Sequence, residues 1–207
     1  MKQDPAEKYR EMSENERRLE LGGYRLIGGI DEAGRGPLAG PVVAACVILN
    51  PEDPVLGVND SKKLSPKRRS ELKKQIEEKA LAYGIGIVDE KTIDEINILE
   101  ATKLAMKTAV ENMKIQPDYL LIDALTLPDL SIPQEGIIKG DVLSVSIAAA
   151  SILAKETRDE LMIQLDAQYP GYGFAKHKGY GTPQHISALK SMGPLPIHRK
   201  SFISHFV

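Results

Sequence analysis

The sequence has no tryptophan, a single cysteine and no apolar run that approaches the roughly 20 residues of a membrane-spanning helix. The one cysteine, Cys46, excludes an internal disulfide, and its position within an apolar run favours a buried structural thiol over a reactive one. Residues 1–20 are charged throughout and lack the apolar core of a secretory signal. These absences predict a cytoplasmic protein that does not insert into a membrane.

Acidic residues are missing from the C-terminal fifth of the chain, although the net charge of the whole protein is only −2. No Asp or Glu occurs over 167–207, where five of the Lys and Arg residues and all four His residues lie. The first 166 residues therefore hold 22 Lys and Arg against 29 Asp and Glu, a net charge of −7. A second basic cluster lies over 62–74. Such a cluster is usually a solvated helix face, but two basic regions in an acidic chain also allow a polyanion to bind one face.

The apolar pattern indicates one domain of the α/β or α+β class. Strands are predicted over 25–31, 42–49, 83–88, 119–122 and around 137–138. Helices are predicted over 5–20, 66–80, 98–113, 145–165 and 183–190. The stretch 42–49 is almost continuously apolar, which is typical of a strand buried on both faces. The helix over 145–165 opens with the small-residue run IAAAS, so we expect it to pack closely against the sheet.

Four acidic residues stand beside predicted strand ends. Asp31 and Glu32 end the first strand and are followed at once by turn glycines, Asp123 ends the apolar stretch YLLID, and Asp141 lies in KGD before the small-residue helix. Carboxylates at strand ends tend to converge on one edge of a sheet. Held close together, they would repel one another and raise one another's pKa values unless cations lay between them.

Oxygen ligands of this kind suit Mg²⁺ or Mn²⁺. Two such ions about 4 Å apart can activate a water molecule and stabilise the leaving oxygen of a phosphodiester. Each acid also has a simpler explanation, since Asp123 could cap a turn and Asp141 could be favoured by a helix dipole. Spacing alone does not bring four acids into one cluster, so the residues by themselves leave both explanations open.

Six segments of the sequence resemble bacterial ribonuclease HII, a type 2 ribonuclease H, in their order and spacing. They span about 25–206 and read GGIDEAGRGPLAGPVVAACVIL, NDSKKLSPKRR, LLIDAL, KGDVLSVSIAAASILAKETRD, YPGYGFAKHKGYGTPQH and HRKSF. The resemblance implies an α/β, ribonuclease H-like fold with a mixed central sheet flanked by helices and a helical C-terminal portion. It implies a catalytic domain over 25–207 that follows an N-terminal helical extension over 1–24.

The resemblance also implies the catalytic groups. The family's metal-binding carboxylates correspond to Asp31, Glu32, Asp123 and Asp141, which would hold two divalent ions, Mn²⁺ or Mg²⁺, during catalysis.

Substrate contacts follow from the same resemblance. The family's Gly-Arg-Gly element, which reads the ribose 2′-hydroxyl, corresponds to Gly34, Arg35 and Gly36. Glycine lets a backbone approach a sugar edge closely, and an arginine fork suits a phosphate oxygen. A plain tight turn would need the same glycines, and both explanations can hold together.

Three lysines and one tyrosine complete the implied substrate-binding set. Lys62, Lys63 and Lys155 correspond to phosphate contacts, although lysines on helices are commonly only solvated. Tyr180 resembles the tyrosine that stacks on the nucleotide after the ribonucleotide, with an ordinary half-buried tyrosine as the alternative. His177 could be a phosphate donor or a structural histidine, and the sequence does not separate the two.

The implied function is that of an endonuclease that hydrolyses the RNA strand of RNA/DNA hybrids. It would also cut on the 5′ side of ribonucleotides embedded in duplex DNA, leaving 5′-phosphate and 3′-hydroxyl ends. We expect a monomer whose partners are these duplexes. The rivals are another two-metal nuclease or recombinase of the same broad fold, an inactive nucleic-acid binder, and a Mg²⁺-dependent enzyme acting on a small phosphorylated substrate. The acid quartet argues against the second, and the acid-free basic tail argues against the third.

Overall fold

The computed structural model describes residues 4–206, which form a mixed five-stranded sheet with helices on both faces. The strands are β1 (Ile27–Ala33), β2 (Val42–Ile48), β3 (Ala82–Val88), β4 (Tyr119–Asp123) and β5 (Gln134–Ile137). Their order across the sheet is β3-β2-β1-β4-β5. The pairs β3/β2 and β2/β1 are antiparallel, whereas β1/β4 and β4/β5 are parallel. The predicted mixed sheet is confirmed.

Helices fill the connections and the C-terminal portion. They are α1 (Pro5–Met12), α2 (Glu14–Leu21), α3 (Pro66–Lys79), α4 (Glu90–Glu111), α5 (Gly140–Leu143), α6 (Val145–Gln168), α7 (Phe174–His177), α8 (Pro183–Met192) and α9 (Lys200–Ile203). Over residues 4–206, no helix combines the length and apolar character that crossing a bilayer would require.

Two predicted helices differ from the observed ones. The N-terminal helix is divided at Ser13, whose hydroxyl donates to the Tyr9 carbonyl at 2.7 Å. Helix α4 has a first segment that was not predicted, which begins at Glu90 and is capped by the Asp89 carboxylate, an acceptor from the Thr92 N–H at 2.8 Å. The helix breaks at Asn97, which has a φ of 67° and whose side chain accepts from the N–H groups of Leu99 and Glu100 at 2.9 and 3.2 Å, so its second segment begins at the predicted position, 98.

Helix α6 lies at the centre of one face of the sheet, as its small-residue run predicts. Ala148, Ala149 and Ala150 are fully buried there. A Cβ added at Gly29 on β1 would overlap the backbone of Ser146 at the start of the helix. The small residues on both sides therefore allow the helix and the strand to approach closely.

Strand β2 is buried on both faces. Cys46 belongs to the apolar core shared with α4, and Val47 belongs to the core shared with α3 and α6. Complete burial raises the pKa of the Cys46 thiol, so the group stays protonated, as the prediction of a structural thiol requires.

The N-terminal helices are joined to α6 through one carboxylate. Glu16 on α2 accepts hydrogen bonds from the hydroxyl of Ser144 at 2.5 Å and from the hydroxyl and N–H of Ser146 at 2.6 and 3.0 Å. These contacts place a negative charge at the N-terminus of α6, where the helix dipole favours it.

Candidate active site

One cavity of about 530 Å³ collects nearly all the predicted site residues. It lies at the end of β4 and beside the last residues of β1: parallel pairing places Ile30 beside Ile122, so Asp31 and Asp123 follow at adjacent positions. Strand β1 continues past the predicted end at Asp31, because residues 31–33 still pair with β2. Lys63 is the only predicted site residue that does not line the cavity. The others are Asp31, Glu32, Gly34, Arg35, Gly36, Lys62, Asp123, Asp141, Lys155 and Tyr180.

Asp31 is the most deeply buried of the four acids, with 6% of its surface exposed. Burial raises its pKa well above the usual range, and the nearby carboxylates of Glu32 and Asp123 raise it further. The Glu32 N–H donates to Asp31 Oδ1 at 2.7 Å, and this hydrogen bond together with the nearby Ser151 hydroxyl opposes that shift. The carboxylate is thus held in one orientation at the floor of the cavity.

Glu32 and Asp141 have raised pKa values for related reasons. Burial raises the pKa of Glu32, Arg35 at 3.4 Å lowers it, and Asp123 raises it. Burial raises the pKa of Asp141, as do Asp60 and Asp123. Asp60 is an acid that sequence reasoning missed, although it lies in the NDSKKL segment.

Asp123 links β4 to the helix that carries Asp141. Its Oδ1 accepts the N–H of Gly140, the first residue of α5, at 2.7 Å. The simpler explanation, in which Asp123 caps a turn, is therefore also true, and the same side chain lines the cavity with the other acids.

The donor set of the cavity fits divalent cations such as Mg²⁺ or Mn²⁺. All four acids offer carboxylate oxygen, the ligand that these ions prefer, and their mutual repulsion is what a cation would relieve. Within residues 4–206, no three His, Cys, Asp or Glu side chains are grouped closely enough to enclose one ion. Mg²⁺ is usually held by one or two carboxylates, with water and substrate phosphates completing its shell. Such an open arrangement suits a nuclease.

The turn formed by Gly34, Arg35 and Gly36 is held from behind by Arg199. This side chain is fully buried, and its guanidinium donates to the carbonyls of Gly34 and Arg35 at 2.6 and 2.9 Å and to that of Gly40 at 2.8 Å. Burial lowers its pKa to about 9. Sequence reasoning missed this role and counted Arg199 as part of a basic surface.

A second buried guanidinium, that of Arg158 on α6, reinforces the same region. It donates to the carbonyls of Pro41, Lys178 and Ala39 at 2.8, 2.9 and 3.1 Å. It thereby joins the chain after the Gly34–Gly36 turn to the loop that carries Tyr180.

Much of the basic cluster over 62–74 is used inside the protein. Arg69 pairs with Glu156 at 2.7 Å, and Lys73 pairs with Glu160 at 2.6 Å. Lys62 lines the cavity, and Lys63 is an exposed neighbour whose Nζ lies 3.8 Å from Asp60. Lys155 also lines the cavity.

Tyr180 and His177 have different environments. The Tyr180 side chain is 45% exposed at the cavity wall, and its ring lies 3.7 Å from the position that a Cβ on Gly36 would take. His177 is buried: its Nδ1 accepts the Gly179 N–H at 3.2 Å, and its Nε2 lies 2.7 Å from the Tyr172 carbonyl. Both ring nitrogens are occupied within the protein, so the structural explanation holds for His177.

The two turn glycines predict different responses to alanine. In Gly34→Ala, a φ of +98° and overlap with the Arg158 side chain should lower the free energy of unfolding by at least about 1–2 kcal/mol. In Gly36→Ala, the new methyl group would meet only the Tyr180 ring at an ordinary distance, so stability should stay near wild type. Thermal unfolding of both variants checks this, and equal melting temperatures would contradict it.

Comparisons with known proteins agree with this geometry. The sequence profile of the family described as Ribonuclease HII matches residues 28–205. The chain is 59% identical over 200 residues to ribonuclease HII of Acetivibrio thermocellus, which covers 97% of this chain and 78% of that protein. The ribonuclease H2 structure from Pyrococcus horikoshii superposes with a TM-score of 0.72 at 27% identity, covering 88% of this chain and 99% of that one. The structure of ribonuclease HII of Archaeoglobus fulgidus, solved in a complex with PCNA, superposes with a TM-score of 0.72 at 28% identity, covering 86% of this chain and 94% of that one.

Proposed function

The chain belongs to the ribonuclease HII family, a family of ribonuclease H endonucleases that act on the RNA of RNA/DNA hybrids, and from that premise we propose a finer activity. The protein cuts on the 5′ side of single ribonucleotides embedded in duplex DNA and leaves 5′-phosphate and 3′-hydroxyl ends. The observation that carries this proposal is the shared cavity, in which the four acids lie beside the Gly34–Gly36 turn and Tyr180.

The acids Asp31, Glu32, Asp123 and Asp141 would hold two divalent ions, Mg²⁺ or Mn²⁺. When bound, such ions supply an activated water molecule and stabilise the leaving oxygen of the phosphodiester. The protein contributes orientation, since Asp31 is fixed by the Glu32 N–H and Asp123 by the Gly140 N–H.

Selection for ribose is assigned to the turn and to Tyr180. The 2′-hydroxyl is the feature that distinguishes RNA from DNA at a site. The carbonyls of Gly34 and Arg35 already accept hydrogen bonds from Arg199, so the turn is preorganised before a sugar arrives. Gly36 carries no side chain to fill the space beside the Tyr180 ring, and a nucleotide would enter there.

We also propose that the protein acts as a monomer in which the 1–24 extension supports the 25–207 catalytic domain. In support of the first point, one chain supplies all four acids and the turn. In support of the second, Glu16 is bonded to the N-terminus of α6, the helix that carries Ser151 and Lys155.

The test of the proposed function is cleavage of a labelled duplex with one embedded ribonucleotide, in Mg²⁺ and in Mn²⁺, beside an all-DNA duplex of the same sequence. We expect one cut, on the 5′ side of the ribonucleotide, and none in the all-DNA duplex. Cutting of both would indicate another two-metal nuclease, and binding without cutting would indicate an inactive binder.

The salt dependence of binding tests the two lysines beside the acids. Neutralising Lys62 and Lys63 to glutamine should make the plot of log affinity against log salt shallower, by up to about 1.8 for two lost phosphate contacts, on all duplexes alike. A matched control is the glutamine pair at Lys107, in the last turns of α4, and Lys114, just after α4, neither of which lines the cavity. An unchanged slope in the first variant would mean that Lys62 and Lys63 are only solvated.

A further inference from the structure

Three buried histidines lie directly behind the Tyr180 loop, in the tail that sequence reasoning treated as a basic surface. His177 and His185 stack with ring centroids 4.6 Å apart, and His198 lies 5.3 Å from His185. Phe174 packs edge-on against His177 and His185. The cluster is outside the cavity, so none of the three can be an acid or base for the reaction.

The hydrogen bonds of the cluster form a chain in which each ring donates through one nitrogen and accepts through the other. Nδ1 of His198 lies 2.8 Å from the Leu195 nitrogen and 3.3 Å from the Leu195 carbonyl; the shorter contact is a hydrogen bond from the Leu195 N–H, which places the proton of neutral His198 on Nε2. That Nε2 lies 3.1 Å from Nε2 of His185, which must therefore accept. The remaining nitrogen of His185, Nδ1, then carries the proton and donates to the Tyr180 carbonyl at 2.9 Å.

Burial keeps both rings neutral, which these donor and acceptor roles require. It lowers the pKa of His185, and it lowers that of His198 to about 4, so both rings are neutral near pH 7. A charged His185 would need a second acceptor at Nε2, where His198 offers only a donor.

The backbone of Tyr180 is therefore fixed on both sides while its ring remains half exposed. Its N–H donates to the His177 carbonyl at 2.9 Å, and its carbonyl accepts from His185 at 2.9 Å and from the Thr182 N–H at 2.8 Å. The N–H of the preceding residue, Gly179, donates to Nδ1 of His177.

We propose that His185 is a positioning residue for ribonucleotide recognition, which holds the Tyr180 ring against Gly36 through a hydrogen bond to the Tyr180 carbonyl. The proposal rests on the proposed function, in which Tyr180 contacts the nucleotide. His185 touches no substrate and acts only through the placement of that ring.

Two substitutions separate the nitrogens of His185. His185→Asn keeps an amide donor near the Nδ1 position and loses the contact with His198, whereas His185→Gln reaches the Nε2 position and loses the donor to Tyr180. Asn is one methylene shorter than Gln and leaves the larger space in the core, so a loss of packing alone would affect the Asn variant more. We expect kcat/KM at a single embedded ribonucleotide to fall up to about tenfold in the Gln variant, which loses one of the two hydrogen bonds to the Tyr180 carbonyl, and about threefold or less in the Asn variant.

A double variant tests the route of the effect. If His185 acts through the tyrosine ring, His185→Gln should cost no further activity in a Tyr180→Ala background. Equal losses in the Asn and Gln variants, or a full further loss in the double variant, would overturn the proposal. If Tyr180→Ala alone keeps full activity, the nucleotide contact of the proposed function is wrong, which is a separate failure.

Nitrogen NMR of the wild-type histidines gives a measurement that does not depend on variants folding. We expect His185 as the Nδ1–H tautomer and His198 as the Nε2–H tautomer at pH 7. The Nε2–H tautomer at His185 would leave the Tyr180 carbonyl without this donor and would overturn the proposal.

Discussion

Replacing Asp31 with asparagine is expected to lower turnover on the order of 10³-fold and, in a metal-free buffer, to raise thermal stability. The activity loss follows because the variant removes one charged ligand from the proposed metal site, whose electrostatic contribution is several kcal/mol, with about 1.4 kcal/mol per factor of ten in rate. Duplex binding should remain, since the basic groups around the cavity are unchanged.

The gain in stability follows from the pKa of Asp31. Its pKa is raised in the folded state by burial and by Glu32 and Asp123, so the unfolded chain ionises this group more readily. Below the unfolded pKa of about 3.9, Asp31 is protonated in both states and does not destabilise the folded wild-type protein. As the pH rises from there through the folded pKa, wild type loses folding free energy because the buried carboxylate must ionise, whereas the asparagine variant has no group to ionise.

Three measurements check this prediction: turnover on an RNA/DNA hybrid, melting temperature against pH with a chelator, and melting temperature with Mg²⁺ or Mn²⁺. The divalent ion should raise the melting temperature of wild type more than that of the variant. Asp129→Asn, a change at an exposed acid away from the cavity, is the control and should alter none of these. Wild-type turnover in the Asp31 variant would remove this residue from the site.

Features with local signals were predictable from the sequence. Ser65 followed by Pro66 predicts a helix start, and the Ser65 hydroxyl accepts the Arg68 N–H at 3.3 Å at the beginning of α3. The apolar run at 42–49 predicts a strand buried on both faces, and β2 is one. The segment of α4 before Asn97 was missed because it is largely polar, whereas the start predicted at 98 coincides with the segment that the Asn97 side chain caps.

Features that depend on distant contacts were not predictable. Arginine is seldom fully buried, so nothing in HRKSF indicates that Arg199 lies among carbonyls of residues 34–40, some 160 positions earlier. The same holds for His185 and His198: the composition of 167–207 indicates a basic surface, and only the structure shows that these two histidines are buried. The acids were found as a set only through the family resemblance, since strand-end carboxylates alone also fit separate capping roles.

The second large effect is expected at Tyr180. Stacking of an aromatic ring on a base or sugar contributes roughly 1–3 kcal/mol, so Tyr180→Ala should slow cutting at a lone ribonucleotide about 5- to 150-fold if the contact is made mainly in the transition state. The variant should fold normally, because the ring is 45% exposed at the cavity wall and its loss opens no hole in the core. Tyr180→Phe keeps the ring and should stay near wild type.

The rates of these proteins on two substrates decide the role of Tyr180. On a duplex with one embedded ribonucleotide, the Ala variant should be slow and the Phe variant fast, whereas a continuous RNA/DNA hybrid should show a smaller loss, because it offers many alternative cutting positions. Tyr83→Ala, which removes a partly exposed tyrosine near the start of β3, is the control and should match wild type on both. Equal losses in the Ala and Phe variants would assign the effect to the hydroxyl. Full activity in both would make Tyr180 a structural residue, and ribose selection would then rest on the Gly34–Gly36 turn alone.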